Sequence, residues 1–207
     1  MNSVDFTWVI GRKTIQPLVS GLTRLKVYGK ENVPLEGGCV LACNHFSWVD
    51  PPVLGIASPR NVYFMAKIEA HRVPGLGALI RAFGTFSVRR GESDREAVRM
   101  MRKIVADGHA LGLFVEGTRQ PSGLPGPVQP GAAMVAIQEG VPIVPAAIRG
   151  SHEWRLHNFK RVSLEWGKPM RFDGLPKGGK GYKEASVLLE AEIKRLWEGL
   201  ALRESPS

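Results

Sequence analysis

The segment from residue 40 to residue 52 reads VLACNHFSWVDPP. It begins with a short apolar run, as a buried strand does, and it ends with two prolines of the kind that open a helix. Between them lies a loop that contains His45 and Asp50. Ligands of α/β proteins bind where a strand opens into a loop and a helix. The segment therefore predicts a strand whose carboxyl end carries a functional loop.

The rest of the chain repeats this alternation of short apolar runs and helical patterns. Strands are predicted at Leu25–Tyr28, Val40–Cys43, Asn61–Ala66, Thr85–Val88, Leu111–Val115, Ile143–Ile148 and Val162–Trp166. Helices are predicted at Pro51–Ala57, Gly75–Phe83, Ser93–Ala106, Ala132–Glu139 and Tyr182–Leu202. Ser93 and Glu96 form a capping box at the third of these helices. The alternation predicts a single α/β domain, an αβα arrangement around a mixed, mainly parallel sheet.

An N-terminal amphipathic helix is predicted over residues 5–24. Its apolar stripe contains Trp8, Ile15, Leu18, Val19 and Leu22, and Arg12, Lys13, Gln16, Ser20 and Arg24 lie toward the other side. Pro17 is expected to kink this helix. A basic amphipathic helix with a tryptophan is typical of a membrane-surface anchor, although an ordinary surface helix packed on the domain has the same pattern. The predicted division is residues 1–24 as a membrane-surface helix and residues 25–207 as the main domain.

The charge of the chain points to an anionic partner. Its 28 Lys and Arg residues against 19 Asp and Glu residues give a net charge of +9, which fits nucleic acid, an anionic membrane or a phosphorylated substrate. The two cysteines, Cys39 and Cys43, lack a zinc-binding spacing and are expected to be reduced thiols. No apolar run approaches the roughly 18 residues of a spanning helix, and no signal-peptide pattern is seen. A membrane role is therefore expected to be peripheral or monotopic.

The loop after the second strand carries a pair suited to proton transfer. Histidine is the side chain whose ordinary pKa suits acid–base work near neutrality, and Asp50 could hold one tautomer of His45 and stabilise its imidazolium form. A substrate hydroxyl would then be the nucleophile. The alternative is purely structural, with Asn44 or His45 closing a turn and Asp50 capping the next helix.

Three further blocks follow, GTFSVRR at residues 84–90, FVEGTR at residues 114–119 and VPIVPAAI at residues 141–148. The first ends in Arg89 and Arg90, whose guanidinium groups suit phosphate oxygens. The second is a strand that runs into a glycine turn with a charged pair, and the third is a buried strand with two prolines. Each block alone also fits an ordinary feature, namely paired surface arginines, a β-turn and an edge strand.

In this order, the four blocks resemble the motifs of the glycerolipid acyltransferase family, which includes 1-acyl-glycerol-3-phosphate acyltransferases. The family's His-x4-Asp, Gly-x-x-Phe-x-x-Arg and Glu-Gly-Thr-Arg motifs and its proline-bearing strand correspond to residues 45–50, 84–90, 116–119 and 141–148. The resemblance covers about residues 25–150. The chain departs from the family pattern with Ser87 in place of phenylalanine, Val115 in place of proline, and Gln129 with Pro130 where a basic residue often precedes the Gly-Ala pair.

The resemblance implies a reaction as well as site residues. His45 and Asp50 would be the catalytic pair, and residues Lys67, Arg89, Arg90, Glu116, Gly117, Thr118 and Arg119 would bind the substrate, with phosphate held by Arg90 and Arg119. A fatty acyl group would pass from acyl-CoA or acyl-carrier protein to the sn-2 hydroxyl of 1-acyl-glycerol-3-phosphate, giving phosphatidate at the cytoplasmic face of the membrane. No metal, bound cofactor or nucleic acid is expected, whereas an anionic membrane surface is an expected partner.

Other interpretations of the same residues stay open. Another lysolipid could be the acceptor, or the His–Asp pair could activate water in a thioesterase or hydrolase, although no Gly-x-Ser-x-Gly elbow is present. Cys43 next to the motif raises a covalent acyl-cysteine route, against the simpler interpretation of a small buried thiol. A non-enzymatic binder of nucleic acid or lipid would explain the charge, but no nucleic-acid module is visible.

Overall fold

The computed structural model describes residues 3–88 and 95–204, and its central feature is a sheet. The strands are β1 (Lys26–Tyr28), β2 (Cys39–Cys43), β3 (Val62–Lys67), β4 (Phe86–Val88), β5 (Ala110–Phe114), β6 (Ile143–Arg149) and β7 (Ser163–Trp166). They form one seven-stranded sheet in the order β1-β7-β6-β2-β5-β3-β4. The prediction of an α/β domain with a mixed, mainly parallel sheet is confirmed, and the seven predicted strands lie where the structure has them, to within about one residue at most ends.

The direction of the strands defines the edge at which the site lies. β7 pairs antiparallel with β6, whereas all other neighbours in the sheet are parallel. Strands β2 to β6 therefore end at one edge, here called the carboxyl edge, and β1 and β7 begin there. β2, at the centre, is buried along all five of its residues, as expected for a parallel strand covered on both faces.

Helices cover both faces of the sheet. In the main domain they are α3 (Asp50–Ala57), α4 (Ile68–Arg72), α5 (Leu76–Ala82), α6 (Arg95–Ala106), α7 (Gly131–Glu139) and α8 (Gly179–Glu204). α6, α7 and α8 share one core cluster with the sheet, and α3 belongs to the cluster on the opposite face. The short helix α4 was not predicted, and α8 begins three residues before the predicted Tyr182. Ser93, the predicted cap of α6, lies outside the described residues.

The N-terminal segment forms two helices, α1 (Ser3–Lys13) and α2 (Ile15–Thr23), where the sequence predicts one helix over residues 5–24 that is kinked by Pro17. An interruption near Pro17 is thus correct, but it is a full break and not a kink. The cause is Pro17, although the break falls three residues before it. A proline ring clashes with the carbonyl four residues earlier, here that of Lys13, and has no N–H to donate to it. The first helix therefore ends at Lys13, and Pro17 is accommodated in the first turn of the second.

The predicted apolar stripe is also only partly correct, because the break at Thr14 interrupts the helical phase. Trp8 is buried, and its ring lies 5.1 Å from that of Phe83 in an edge-on contact. Leu18, which was assigned to the same stripe, is 61% exposed. Other apolar side chains of α1 are also exposed, namely Phe6, Val9 and Ile10. The segment thus packs on the domain through one face and presents apolar side chains on another.

Pro145 lies in β6, which is an internal strand of the sheet. Proline is usually confined to edge strands, so its position here needs an explanation. The Pro145 carbonyl accepts a hydrogen bond from the N–H of Gly167. That bond lies just beyond the last β6–β7 pair, Ala146 with Trp166. The missing proline N–H therefore falls where the antiparallel ladder has ended, which is where proline is tolerated in a sheet.

Candidate active site

The residues of the first block form a hydrogen-bonded pair at the carboxyl edge. β2 ends at Cys43, and the following loop brings Nδ1 of His45 to 2.8 Å from Oδ2 of Asp50. The aspartate is fully buried, and the imidazole is 15% exposed. A carboxylate can only accept a hydrogen bond, so Nδ1 carries the proton of the neutral ring and Nε2 keeps its lone pair. The pair is therefore built to take up a proton at Nε2.

The backbone around Asp50 explains why the loop has this shape. Oδ2 also accepts hydrogen bonds from the N–H groups of Phe46 and Ser47, at 2.6 and 2.7 Å. Asp50 is the first residue of α3, but its carboxylate points back to the loop and does not cap that helix. Pro51 follows it, and a proline in the first helical turn loses no hydrogen bond. The capping alternative for Asp50 is therefore not what the structure contains.

Asn44 fixes the start of this loop to the neighbouring strand. Its side-chain amide donates to the carbonyl of Ile148 at 3.0 Å, and its side-chain oxygen accepts from the Ile148 N–H at 2.8 Å. The side chain thus continues the pairing of β2 with β6 after the backbone ladder has ended. Because Asn44 is buried, both bonds are shielded from water. The backbone is therefore fixed to β6 at the residue immediately before His45.

Glu116 of the third block holds the histidine from the other side. One carboxylate oxygen accepts from the backbone N–H of His45 at 2.8 Å, and the other accepts from the N–H of Gly126 at 2.7 Å. Burial raises the pKa of Glu116 to about 6, with the nearby charge of Asp50 adding to the shift and the two N–H donors opposing it. Both oxygens therefore accept hydrogen bonds from backbone N–H groups, a role that the sequence did not suggest. Its predicted part in substrate binding stays a prediction.

The turn after β5 lies directly beside the histidine. The N–H of Gln120 donates to the carbonyl of His45 at 2.8 Å, which places the residues before it next to the loop that carries His45. Gly117 adopts a φ of 74°, a left-handed conformation that favours glycine. Thr118 and Arg119 are exposed on this turn. Four of the predicted substrate-binding residues, Glu116 to Arg119, are thus brought to the His45–Asp50 pair.

The remaining predicted binding residues are less fully described. Lys67 is the last residue of β3, so its backbone reaches the same carboxyl edge as His45. Arg89 and Arg90 lie outside the described residues. No three side chains of His, Cys, Asp or Glu come together as a metal site would require within residues 3–88 and 95–204. The expectation that the reaction needs no metal or bound cofactor stays a prediction.

Cys43 does not have the properties of a nucleophile. Its side chain is fully buried. Burial, followed by the charges of Asp50 and Glu116, raises the pKa of the Cys43 thiol well above its ordinary value. Since the thiolate is the reactive form, this environment keeps the sulfur inert. The covalent acyl-cysteine alternative is thus opposed by the structure.

Several residues that shape the site were not identified from the sequence. The ring of Phe114 stacks on His45 with centroids 4.2 Å apart and an interplanar angle of 25°. The N–H of Gln120 donates to the His45 carbonyl, and the N–H of Gly126 donates to the Glu116 carboxylate. Trp154 contacts Trp48 edge-on at 5.5 Å. The position of Asn44 beside the histidine is a sequence signal for its role. The other residues contact the site from distant segments of the chain and have no such signal.

Comparison with known proteins agrees with this geometry. A family model described as Acyltransferase matches residues 24–149. A 1-acyl-sn-glycerol-3-phosphate acyltransferase of Bacillus subtilis is 32% identical over 148 residues, 70% of this chain and 73% of that protein. A lyso-ornithine lipid O-acyltransferase of Rhodobacter capsulatus is 30% identical over 92 residues, 44% of this chain and 33% of that protein.

A solved structure extends the similarity beyond the family region. The crystal structure of the 1-acyl-sn-glycerophosphate acyltransferase PlsC from Thermotoga maritima matches with a TM-score of 0.72 and 27% identity, covering 94% of this chain and 83% of that one. The family match spans more than half of the chain and includes all four sequence blocks. The chain therefore belongs to the glycerolipid acyltransferase family that includes 1-acyl-sn-glycerol-3-phosphate acyltransferases, and it is an O-acyltransferase.

Proposed function

We propose that this acyltransferase moves a fatty acyl group from acyl-CoA or acyl-carrier protein to the sn-2 hydroxyl of 1-acyl-glycerol-3-phosphate. The observation that carries the proposal is the 2.8 Å contact between His45 Nδ1 and the buried carboxylate of Asp50, beside the Glu116–Arg119 turn. The relatives from Bacillus subtilis and Thermotoga maritima carry names for this activity, which supports the same acceptor. The product would be phosphatidate.

In the proposed reaction, one bond to the acyl carbon forms and another bond to it breaks. His45 Nε2 accepts the proton of the hydroxyl as its oxygen attacks the thioester carbonyl, and the carbon–oxygen bond forms. When the tetrahedral intermediate collapses, the carbon–sulfur bond breaks and the proton passes from Nε2 to the departing thiolate. Asp50 stabilises the imidazolium between these two events. The products are the ester and a free thiol, with no net change in protons.

Binding of the acceptor would depend on its phosphate. Arg119 on the exposed turn beside His45, with Arg89, Arg90 and Lys67, would hold the phosphate oxygens and so fix the hydroxyl near Nε2. Such positioning can supply several kcal/mol of the reduction in barrier. Gly117 and Thr118 would shape the same acceptor subsite through the turn that they form.

The N-terminal helices would bring the site to its lipid substrate. Phe6, Val9, Ile10 and Leu18 are exposed on α1 and α2, and Lys13 lies among them in sequence. Apolar side chains with nearby cations fit the interface of an anionic membrane. No helix within residues 3–88 and 95–204 is both long and apolar enough to cross a bilayer. We propose that residues 1–24 lie at the cytoplasmic membrane surface.

The decisive experiment is an acyl-transfer assay with defined substrates. Purified protein is given labelled acyl-CoA or acyl-carrier protein with a panel of lysolipids, and products are identified by mass spectrometry. The proposal requires phosphatidate as the main product and loss of transfer in His45→Ala. His109→Ala is the matched control, because His109 precedes β5 at the opposite edge of the sheet. Thiol release that is independent of any acceptor would instead identify a thioesterase.

One relative supports a second acceptor. The similarity to the lyso-ornithine lipid O-acyltransferase covers 92 residues at 30% identity, so a lysolipid without phosphate belongs in the same panel. Transfer to lyso-ornithine lipid with none to 1-acyl-glycerol-3-phosphate would overturn the proposed acceptor and leave the acyltransferase activity intact.

A further inference from the structure

The segment from residue 151 to residue 161, here called loop 151–161, has an unusual surface for a connection between two strands. It joins β6 to β7 at the carboxyl edge. Leu156 is 59% exposed and Phe159 is 46% exposed. Scattered single apolar residues are normal on a surface, but two large ones on one short loop indicate a contact with something apolar.

The backbone of the loop holds Phe159 in its exposed position. Phe159 has a φ of 44°, in the left-handed region that bulky residues rarely occupy. Asn158 braces this conformation, because its side-chain oxygen accepts from the N–H groups of Arg155 and Lys160. Strained residues of this kind persist where the surroundings fix them, and they cluster at functional sites.

The charges of the loop match an anionic surface. Arg155, Lys160 and Arg161 are exposed, and Glu153 is the one carboxylate of the segment. Lys160 pairs with Glu153, and the Arg155 guanidinium donates to two backbone carbonyls. The segment still carries two cations in excess, as juxtamembrane segments that bind anionic lipid do.

Two tryptophans connect the loop to the N-terminal helices and to the active site. The indole N–H of Trp154 donates to the carbonyl of Leu22 in α2 at 2.9 Å. The same ring contacts Trp48, which lies three residues after His45 and is 60% exposed. Partly exposed tryptophan is typical of the membrane–water interface. Loop 151–161 is thus attached to the end of α2 and to the loop that carries His45.

We propose that loop 151–161 and Trp48 form a second lipid-contact element, which docks on a bilayer containing anionic phospholipid. This inference rests on the proposed function, because a lipid acceptor must reach His45 from that bilayer. The end of α2 and this element lie together at the carboxyl edge, because Trp154 bonds to Leu22 and contacts Trp48. An acceptor then moves from the bilayer to the histidine without crossing open water.

The test compares vesicle binding of the wild type with Leu156→Ser/Phe159→Ser. Leu35→Ser is the matched control, since Leu35 is 69% exposed but precedes β2 at the opposite edge of the sheet. We expect the double variant to bind phosphatidylcholine–phosphatidylglycerol vesicles about tenfold more weakly and the control to bind like the wild type. Equal binding of wild type and double variant, or no binding of the wild type, overturns the inference.

Activity separates this inference from the proposed function. With detergent-dispersed acceptor the double variant should turn over like the wild type, and with vesicle-borne acceptor it should lose activity with its binding. Wild-type protein that transfers no acyl group in either format refutes the proposed function, whatever the vesicles show. A double variant that instead changes oligomeric state in sedimentation, with vesicle binding intact, shows that the loop contacts a second copy.

A second measurement tests whether Trp48 reaches the lipid. Brominated phosphatidylcholine quenches tryptophan fluorescence at short range, and exposed Trp48 should contribute a clear share of the quenching. We expect Trp48→Phe to reduce the quenched fraction relative to the wild type. The same quenched fraction in both proteins would show that Trp48 does not reach the lipid.

Discussion

At the residue scale, Asp50 is the group on which the proposed chemistry depends most. It is buried, and a single oxygen serves His45, Phe46 and Ser47. We expect Asp50→Asn to lower kcat by on the order of a thousandfold or more, because the neutral amide stabilises neither the imidazolium nor the correct tautomer. Steady-state kinetics with circular dichroism as a control for folding measure this. A folded variant with near-normal kcat would remove Asp50 from the mechanism.

Glu116 should show its positioning role as a split between two kinetic constants. In Glu116→Gln one oxygen is replaced by an amide that faces an N–H donor, so a bond to His45 or Gly126 is lost. We expect kcat to fall about tenfold or more with little change in the KM of the acceptor, since the histidine moves and the phosphate contacts remain. A large rise in KM with unchanged kcat would show that Glu116 binds the acceptor.

The raised pKa of Glu116 also predicts a dependence of stability on pH. Its pKa of about 6 in the folded protein lies above the ordinary value of 4.5, so the folded state binds this proton more tightly. The stabilisation is present below pH 4.5 and is lost as the pH rises through 6. From acid to neutral pH, the unfolding free energy of Glu116→Gln should thus gain about 2 kcal/mol relative to wild type. Urea titrations at several pH values test this, and a difference that stays constant with pH would contradict it.

At the element scale, the N-terminal helices are part of the folded domain as well as a surface feature. Trp8 is 5% exposed and packs on Phe83 and close to Gly55. We expect Trp8→Ala to lower the unfolding free energy by about 3–5 kcal/mol, because it empties a buried site. The exposed Val9→Ala is the matched control and should change stability little. Equal urea midpoints for the two variants would show that α1 is dispensable for the fold.

The strands were predictable from sequence because each is an apolar run of the right length. Such a run is the main sequence feature of a buried strand in an α/β protein. The position of the helix break was not predictable, because Pro17 acts on Lys13, four residues earlier, and moves the break to Thr14. The short helix α4 has too few residues for a periodic pattern. Local signals thus predicted the order of the elements, whereas the phase of the N-terminal helices depended on one steric clash between residues a single turn apart.

The contacts of the site likewise divide into those that the sequence predicts and those that it does not. His45 and Asp50 are five residues apart, so their pairing was visible in the sequence. The contacts of Glu116, Phe114 and Gln120 with His45 join segments about 70 residues apart. The sequence holds no local signal for such contacts, and the resemblance to a family suggested substrate binding for Glu116 where the structure shows backbone support.

At the scale of the whole molecule, the net charge of +9 should govern binding to membranes. Cations near an anionic surface contribute about 1 kcal/mol each, and salt shortens the range of this attraction. We expect vesicle binding to weaken by about tenfold or more between low and high salt, with transfer to detergent-dispersed acceptor changing less. Vesicle sedimentation measures this. Binding that does not respond to salt would leave the apolar side chains as the whole membrane contact.

The three supports of the loop that carries His45 come from points far along the polypeptide. Glu116 and Gln120 hold the backbone of His45, and Asn44 is held by Ile148. On the ribosome, His45 emerges early but can be oriented only after residue 148 has left the exit tunnel. The His45–Asp50 pair of a nascent chain therefore lacks its full support until synthesis has passed well beyond residue 148 of 207. The proposed chemistry therefore has to wait until the centre of the sheet is complete.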